Sequence, residues 1–102
     1  KLPVELTPAL SDRQIRGTVV FVDRFGNLIT NIEKQCLPIG RNITVTIGGQ
    51  RISELTRTYG ERTPGELVAL INSLGYVEIA IVNGNAAQQM GLGVGTPVVI
   101  NW

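Results

Sequence analysis

The chain has 102 residues, 43% hydrophobic and 17% charged, a balance that suits one globular domain with its own core and rules out a disordered tail. The formal net charge is +1, one cysteine is present and histidine is absent, so neither an internal disulfide nor the usual zinc-ligand sets can form. No apolar run reaches membrane-spanning length, and the nine basic residues are spread singly from Lys1 to Arg62 with five aromatics in all, so neither a membrane span nor a nucleic-acid stacking groove is expected.

Residues 1–15 combine Pro3 and Pro8 with polar side chains and show no sustained period, which predicts a linker entering a domain that covers 16–102. This segment has no apolar stretch or small-residue cleavage site of a secretory signal, and a cytoplasmic location is expected. Gly17 to Asp23 and Asn27 to Ile32 are rich in β-branched residues and read as strands joined by a tight, non-standard turn at Arg24-Phe25-Gly26. Asn42 to Ile47 alternates polar and apolar residues before Gly48-Gly49 and Gln50-Arg51-Ile52, which predicts a hairpin. Thr56 to Pro64 is polar and broken, and reads as a surface loop.

A second hairpin is expected from Glu66 to Ile81 across Ser73-Leu74-Gly75. Asn85 then caps a short helix from Ala86 to Met90 that Gly91 stops, and Pro97 to Asn101 forms the last strand. The predicted fold is all-β, a small antiparallel barrel or sandwich with one short helix. A barrel of this size fills its interior with its own side chains, so a ligand has to bind among the turns.

Asp23-Arg24-Phe25-Gly26-Asn27 places an acid, a base, an aromatic ring and an amide within five positions, a set that can stack on a flat ring and bond its edge. The same residues also suit an ordinary turn in which Asp23 and Asn27 bond the backbone and Phe25 enters the core. Asn72-Ser73-Leu74-Gly75 and Asn83-Gly84-Asn85 likewise read singly as a turn and a helix cap. Gly91-Leu92-Gly93-Val94-Gly95 follows the helix and has no Lys-Ser/Thr after it, so phosphate binding is excluded there. Without histidine there is no Ser-His-Asp or Cys-His pair, and the eight acids show no paired spacing. The chain offers surfaces for binding and no catalytic group, and no metal site.

Taken in order, Asp23-Arg24-Phe25-Gly26-Asn27-Leu28-Ile29-Thr30-Asn31-Ile32, Pro64-Gly65-Glu66, Asn72-Ser73-Leu74-Gly75-Tyr76-Val77-Glu78-Ile79-Ala80 and Gly84-Asn85-Ala86-Ala87 resemble the C-terminal domain of the adenosine-forming S-adenosylmethionine hydrolases, relatives of fluorinase and chlorinase. The resemblance runs from Gly17 to Ile100. It implies a larger α/β N-terminal domain preceding the barrel. It also implies a homotrimer whose sites lie between one subunit's N-terminal domain and a neighbour's C-terminal domain. In such enzymes water-derived hydroxide attacks the ribose 5′-carbon and displaces methionine; no cofactor is implied besides S-adenosylmethionine as substrate.

By the same resemblance Asn27 bonds the adenine edge, Phe25 and Asp23 shape that wall, and Ser73 contacts the methionine or ribose side with Glu78 nearby. The backbone from Ile81 to Asn83 reads adenine, and Tyr59 is a stacking residue. Leu74 stands where the halogenating relatives carry arginine, which argues against halogenase activity, and Val82-Asn83 departs from the usual family pattern. The competing reading is a non-enzymatic barrel used for assembly or for another flat ligand.

Overall fold

A computed structural model describes residues 7–56 and 62–102. Eight strands, β1 (Ala9–Ser11), β2 (Gln14–Val22), β3 (Leu28–Glu33), β4 (Thr44–Ile47), β5 (Gln50–Ile52), β6 (Leu67–Ile71), β7 (Tyr76–Ile81) and β8 (Pro97–Asn101), and one helix, α1 (Ala86–Met90), carry the fold. The strand order is β5-β4-β8-β2-β3-β7-β6, with β1 on β2, and all these pairings are antiparallel. The two ends of that order meet where Leu55 bridges Ala69 and the Thr56 N–H donates to the Ala69 carbonyl at 2.7 Å, which nearly closes the barrel. Thr56, read from sequence as the start of a surface loop, is buried because it forms this seam.

Alternate residues of the strands fill the interior: Ile15 and Val19 of β2, Leu28 and Ile32 of β3, Val45 and Ile47 of β4, Val77 and Ile79 of β7, and Val98 and Ile100 of β8 are at most 1% exposed. No room for a ligand is left inside. Strand pairing also reaches into the segment read as linker, since Ala9 pairs with Arg16 and Ser11 with Gln14. All three residues of β1 are exposed, so this strand has no apolar alternation by which a sequence could reveal it.

β2 serves both halves of the sheet. Its first residues pair with β8 and its last with β3, and the register slips between Val19 and Phe21. At that change of partner the Thr18 N–H finds the Asn31 side-chain oxygen at 2.9 Å. Gly17 is required there, because a Cβ would lie 2.5 Å from that same oxygen. Thr30 bridges the neighbouring irregularity between β3 and β7: its hydroxyl donates to the Val77 carbonyl at 2.8 Å and accepts from the Ile32 N–H at 3.1 Å. Thr30 and Asn31 thus serve the sheet.

The slip also decides where Phe21 points. Strict alternation would put it with Val19 in the core, but with the extra residue it stands outside, 58% exposed.

The helix follows from Asn85, whose side chain accepts from the Gln88 N–H at 2.8 Å, and from Gly91 at φ 69° as the stop. Its Ala87 N–H donates to the Gly26 carbonyl at 2.9 Å, which ties the helix start to the β2–β3 turn. Gly26 has φ 83°, and a Cβ there would fall 1.9 Å from the Asn85 side-chain oxygen. Gly26→Ala is therefore expected to combine backbone strain with loss of the helix cap, a destabilisation of about 2–4 kcal/mol. Thermal unfolding checks this; a melting temperature within about 3 °C of the parent would rule the latch out.

Candidate functional site

Two hairpin tips share one design. In the first, the Asp23 carboxylate accepts the N–H groups of Phe25 and Asn27 at 2.9 Å each and the Asn27 side-chain amide at 3.2 Å. The Asp23 N–H donates to the Asn27 carbonyl at 3.1 Å, and the Gly26 N–H donates back to the Asp23 carbonyl at 2.9 Å. In the second, the Asn72 side-chain oxygen accepts from Leu74 and Tyr76 at 3.0 Å each. There the Asn72 N–H meets the Tyr76 carbonyl at 2.9 Å and the Gly75 N–H meets the Asn72 carbonyl at 3.0 Å. In each turn an Asp or Asn side chain satisfies two N–H groups that no strand partner can reach.

The consequence is an apolar residue held out at each tip. Phe25 is 61% exposed, with the Arg24 guanidinium 4.9 Å from its ring centroid, and Leu74 is 82% exposed. Phe25 therefore does not enter the core as an ordinary-turn reading would have it. Both tips border clefts on the outward face of β3 and β7.

A first cleft of about 380 Å³ is lined by Phe25, Asn27, Ile81, Asn83 and Gly84. Here the β2–β3 turn faces the tight turn after β7, in which the Gly84 N–H donates to the Ile81 carbonyl at 2.9 Å. A second cleft of about 390 Å³ is lined mainly by Phe21, Ile29, Ser73, Leu74, Tyr76 and Glu78. Phe21 pairs with Ile29, Ile29 with Glu78 and Glu78 with Leu70, so these four form one row across four strands. Asn27 and Ile29 are two residues apart along one chain, so lining residues of the two clefts are near neighbours on the β2–β3 hairpin.

Of the residues singled out in the sequence, Phe25, Asn27, Ile81 and Asn83 come together in the first cleft, and Ser73 and Glu78 in the second. Asp23 lines neither, because its carboxylate is engaged in the turn. Tyr59 lies outside the described residues. Gly84, part of the Asn83-Gly84-Asn85 turn noted in the sequence, joins the first cleft, whereas Phe21 and Ile29 were not among the candidate site residues: Phe21 faces outward only through the register slip.

A third cleft, of about 290 Å³, lies at the barrel seam, where Arg62 donates to Glu54 at 2.6 Å and to Thr56 at 2.9 Å and sits 3.5 Å from Glu66. These polar groups satisfy one another and belong to the closure of the sheet. Among the described residues no group of three or more His, Cys, Asp or Glu could hold a metal ion, and no helix is long and apolar enough to cross a membrane.

The fold resembles a solved structure of an uncharacterized conserved protein from Thermotoga maritima, with a TM-score of 0.77 and 26% identity over 94% of this chain and 39% of that one. A conserved hypothetical protein from Thermus thermophilus superposes with a TM-score of 0.68 and 38% identity over 83% of this chain and 32% of that one. In sequence the chain is 38% identical to an (R)-S-adenosyl-L-methionine hydrolase of Thermus thermophilus over 96% of its length, and 31% identical to one of Salinispora tropica over 90%. It spans 34% of each of those relatives, about a third. With residues 17–99 matching its pattern, the chain belongs to the family of SAM hydroxide adenosyltransferase C-terminal domains.

Proposed function

We propose that this chain is the adenosine-binding C-terminal domain of an enzyme that hydrolyses S-adenosylmethionine to adenosine and methionine. The observation that carries this reading is the pair of adjoining outward clefts, one with an exposed aromatic ring beside two carboxamides and the other apolar with a carboxylate. A flat purine stacks on Phe25 while Asn27 and the 81–84 turn meet its edge. The sugar and the sulfur-bearing chain then run along β3 toward Ser73 and Glu78.

In the reaction, a water-derived hydroxide oxygen bonds to the ribose 5′-carbon and the carbon–sulfur bond breaks. The electron pair passes to sulfur, which leaves as the neutral thioether of methionine. The water proton goes to a base in an N-terminal α/β domain outside this chain. Water and S-adenosylmethionine suffice, with no further cofactor.

The domain's part is to orient the nucleoside and exclude water from one side. Phe21 and Leu74, exposed beside the second cleft, are then covered by a neighbouring subunit in a homotrimer, which completes the site.

The chain on its own is expected to release no adenosine from S-adenosylmethionine above the buffer rate, and to bind adenosine at best weakly because half of the site is missing. Chromatography of the products and calorimetric titration check this; turnover, or micromolar binding, by the chain alone would place the whole site here. In the complete enzyme Asn27→Ala is expected to leave the purine edge unpaired, a loss of about 1–3 kcal/mol. That corresponds to a roughly 5- to 150-fold fall in kcat/KM. The same variant also loses the amide bond to Asp23, so a lower melting temperature accompanies the fall; lost stability with unchanged kcat/KM would confine Asn27 to the turn.

A further inference from the structure

The turn from Thr63 to Glu66 closes on itself, with the Glu66 N–H on the Thr63 carbonyl at 3.0 Å and the Thr63 N–H on the Glu66 carboxylate at 3.1 Å. It leads into β6 and holds both backbone groups of Val82. The Gly65 N–H donates to the Val82 carbonyl at 2.7 Å, and the Val82 N–H donates to the Glu66 carbonyl at 2.9 Å. Ile81, Asn83 and Gly84, the neighbours of Val82, form the wall of the first cleft that faces Phe25 and Asn27. The 63–66 turn is thus the support behind that wall.

The turn is in its own turn held by Arg62. The guanidinium donates to the side chains of Glu54 and Thr56, which follow β5, at 2.6 and 2.9 Å, and lies 3.5 Å from the Glu66 carboxylate. One planar group therefore joins the end of β5 to the start of β6. Among the described residues the backbone contributes only one bridge and one hydrogen bond there, whereas every other pair of neighbouring strands shares three or more paired positions. Thr56 is buried, and the fixed fork of arginine meets its hydroxyl and the Glu54 carboxylate together, which the single ammonium of lysine does not reproduce.

We propose that Arg62 is a positioning residue for the first cleft. It does not line that cleft; it fixes the 63–66 turn, through which the backbone of Val82 sets where Ile81, Asn83 and Gly84 stand relative to Phe25 and Asn27. The facing wall has its own support in the Asp23 carboxylate, so the width of the cleft depends on two charged side chains that lie outside it. The proposal rests on the adenosine reading of that cleft and adds a residue remote from the ligand. A purine is held alike in the ground state and the transition state, so a displaced wall raises KM and leaves kcat nearly unchanged. Loss of fold stability alone removes active enzyme and lowers the apparent kcat instead.

The test uses the complete enzyme that carries this domain, assayed with S-adenosylmethionine well below its melting temperature, with calorimetric titration of adenosine alongside. Arg62→Met keeps the length of the side chain and loses the charge and the fork. Its KM and its Kd for adenosine are expected to rise roughly 2- to 30-fold, with kcat little changed. Arg62→Lys keeps the charge without the fork and is expected to fall between the parent and Arg62→Met. Arg51→Ala removes the other guanidinium bordering the seam cleft and is expected to leave KM unchanged. Hydrogen exchange in Arg62→Met is expected to quicken at the Gly65 and Val82 amides as well as at Thr56.

A lower kcat or melting temperature with KM and adenosine affinity unchanged would confine Arg62 to the seam and overturn the proposal. So would faster exchange at Thr56 with Gly65 and Val82 protected as in the parent, or an equal rise of KM in Arg51→Ala. If Asn27→Ala and Phe25→Ala bind adenosine like the parent, the cleft reading itself fails, and the proposal with it.

Discussion

The capture of two backbone N–H groups by one side-chain oxygen, made at Asp23 and repeated at Asn72, is the interaction on which the functional face depends. A hairpin tip that reverses in five residues leaves N–H groups with no strand partner, and ordering the chain there without one carries an entropic penalty. An acceptor on the first residue of the turn offsets that penalty. It also directs the third residue outward, which is why Phe25 and Leu74 project where a small domain would ordinarily keep polar groups. Gly26 and Gly75, at φ 83° and 89°, complete the reversal.

A filled interior sends function to the outside. Ten inward side chains pack the space between the strands, so whatever the domain binds has to use the outer face or the turns. That outer face differs from one half of the sheet to the other. Across β4, β8 and β2 it carries Thr46, Val99 and Arg16, with Gln14 bonded to Asn101 at 3.0 Å and Arg16 to Gln14 at 2.8 Å. Across β2, β3, β7 and β6 it carries Phe21, Ile29, Glu78 and Leu70. The register slip in β2 divides the two regions, since it turns Phe21 out just where the strand changes partner.

The site is assembled from parts that are also structural. Asn27 lines the first cleft and donates to Asp23, and Gly26 supplies the carbonyl that receives the helix N–H of Ala87. Through these bonds the β2–β3 turn, the turn after β7 and the start of α1 form one connected unit. Such coupling fixes the backbone that carries Phe25 and the carboxamide of Asn27. It also means that substitutions at these positions disturb the turn and the shape of the first cleft together.

The sequence by itself determined the strands of both hairpins, the capped helix and the all-β class, because alternation, Gly-bearing turns and an Asn cap are local signals read from neighbouring residues, while the family followed from the resemblance of its turn motifs. It also drew attention to Phe25, Asn27, Ile81 and Asn83, which the fold brings into one cleft. Only the tertiary structure decided that Asp23 works within its turn, that Phe21 faces out, that β1 joins the sheet and that Thr56 is buried at the seam. The turn of Asp23 is local, and the structure chose between two readings of it; the other three depend on strand pairing: a register slip against β3, a strand laid on β2, a bond to Ala69. Such pairings are set by how one segment packs on another, and the period of any single segment carries no information about its partner.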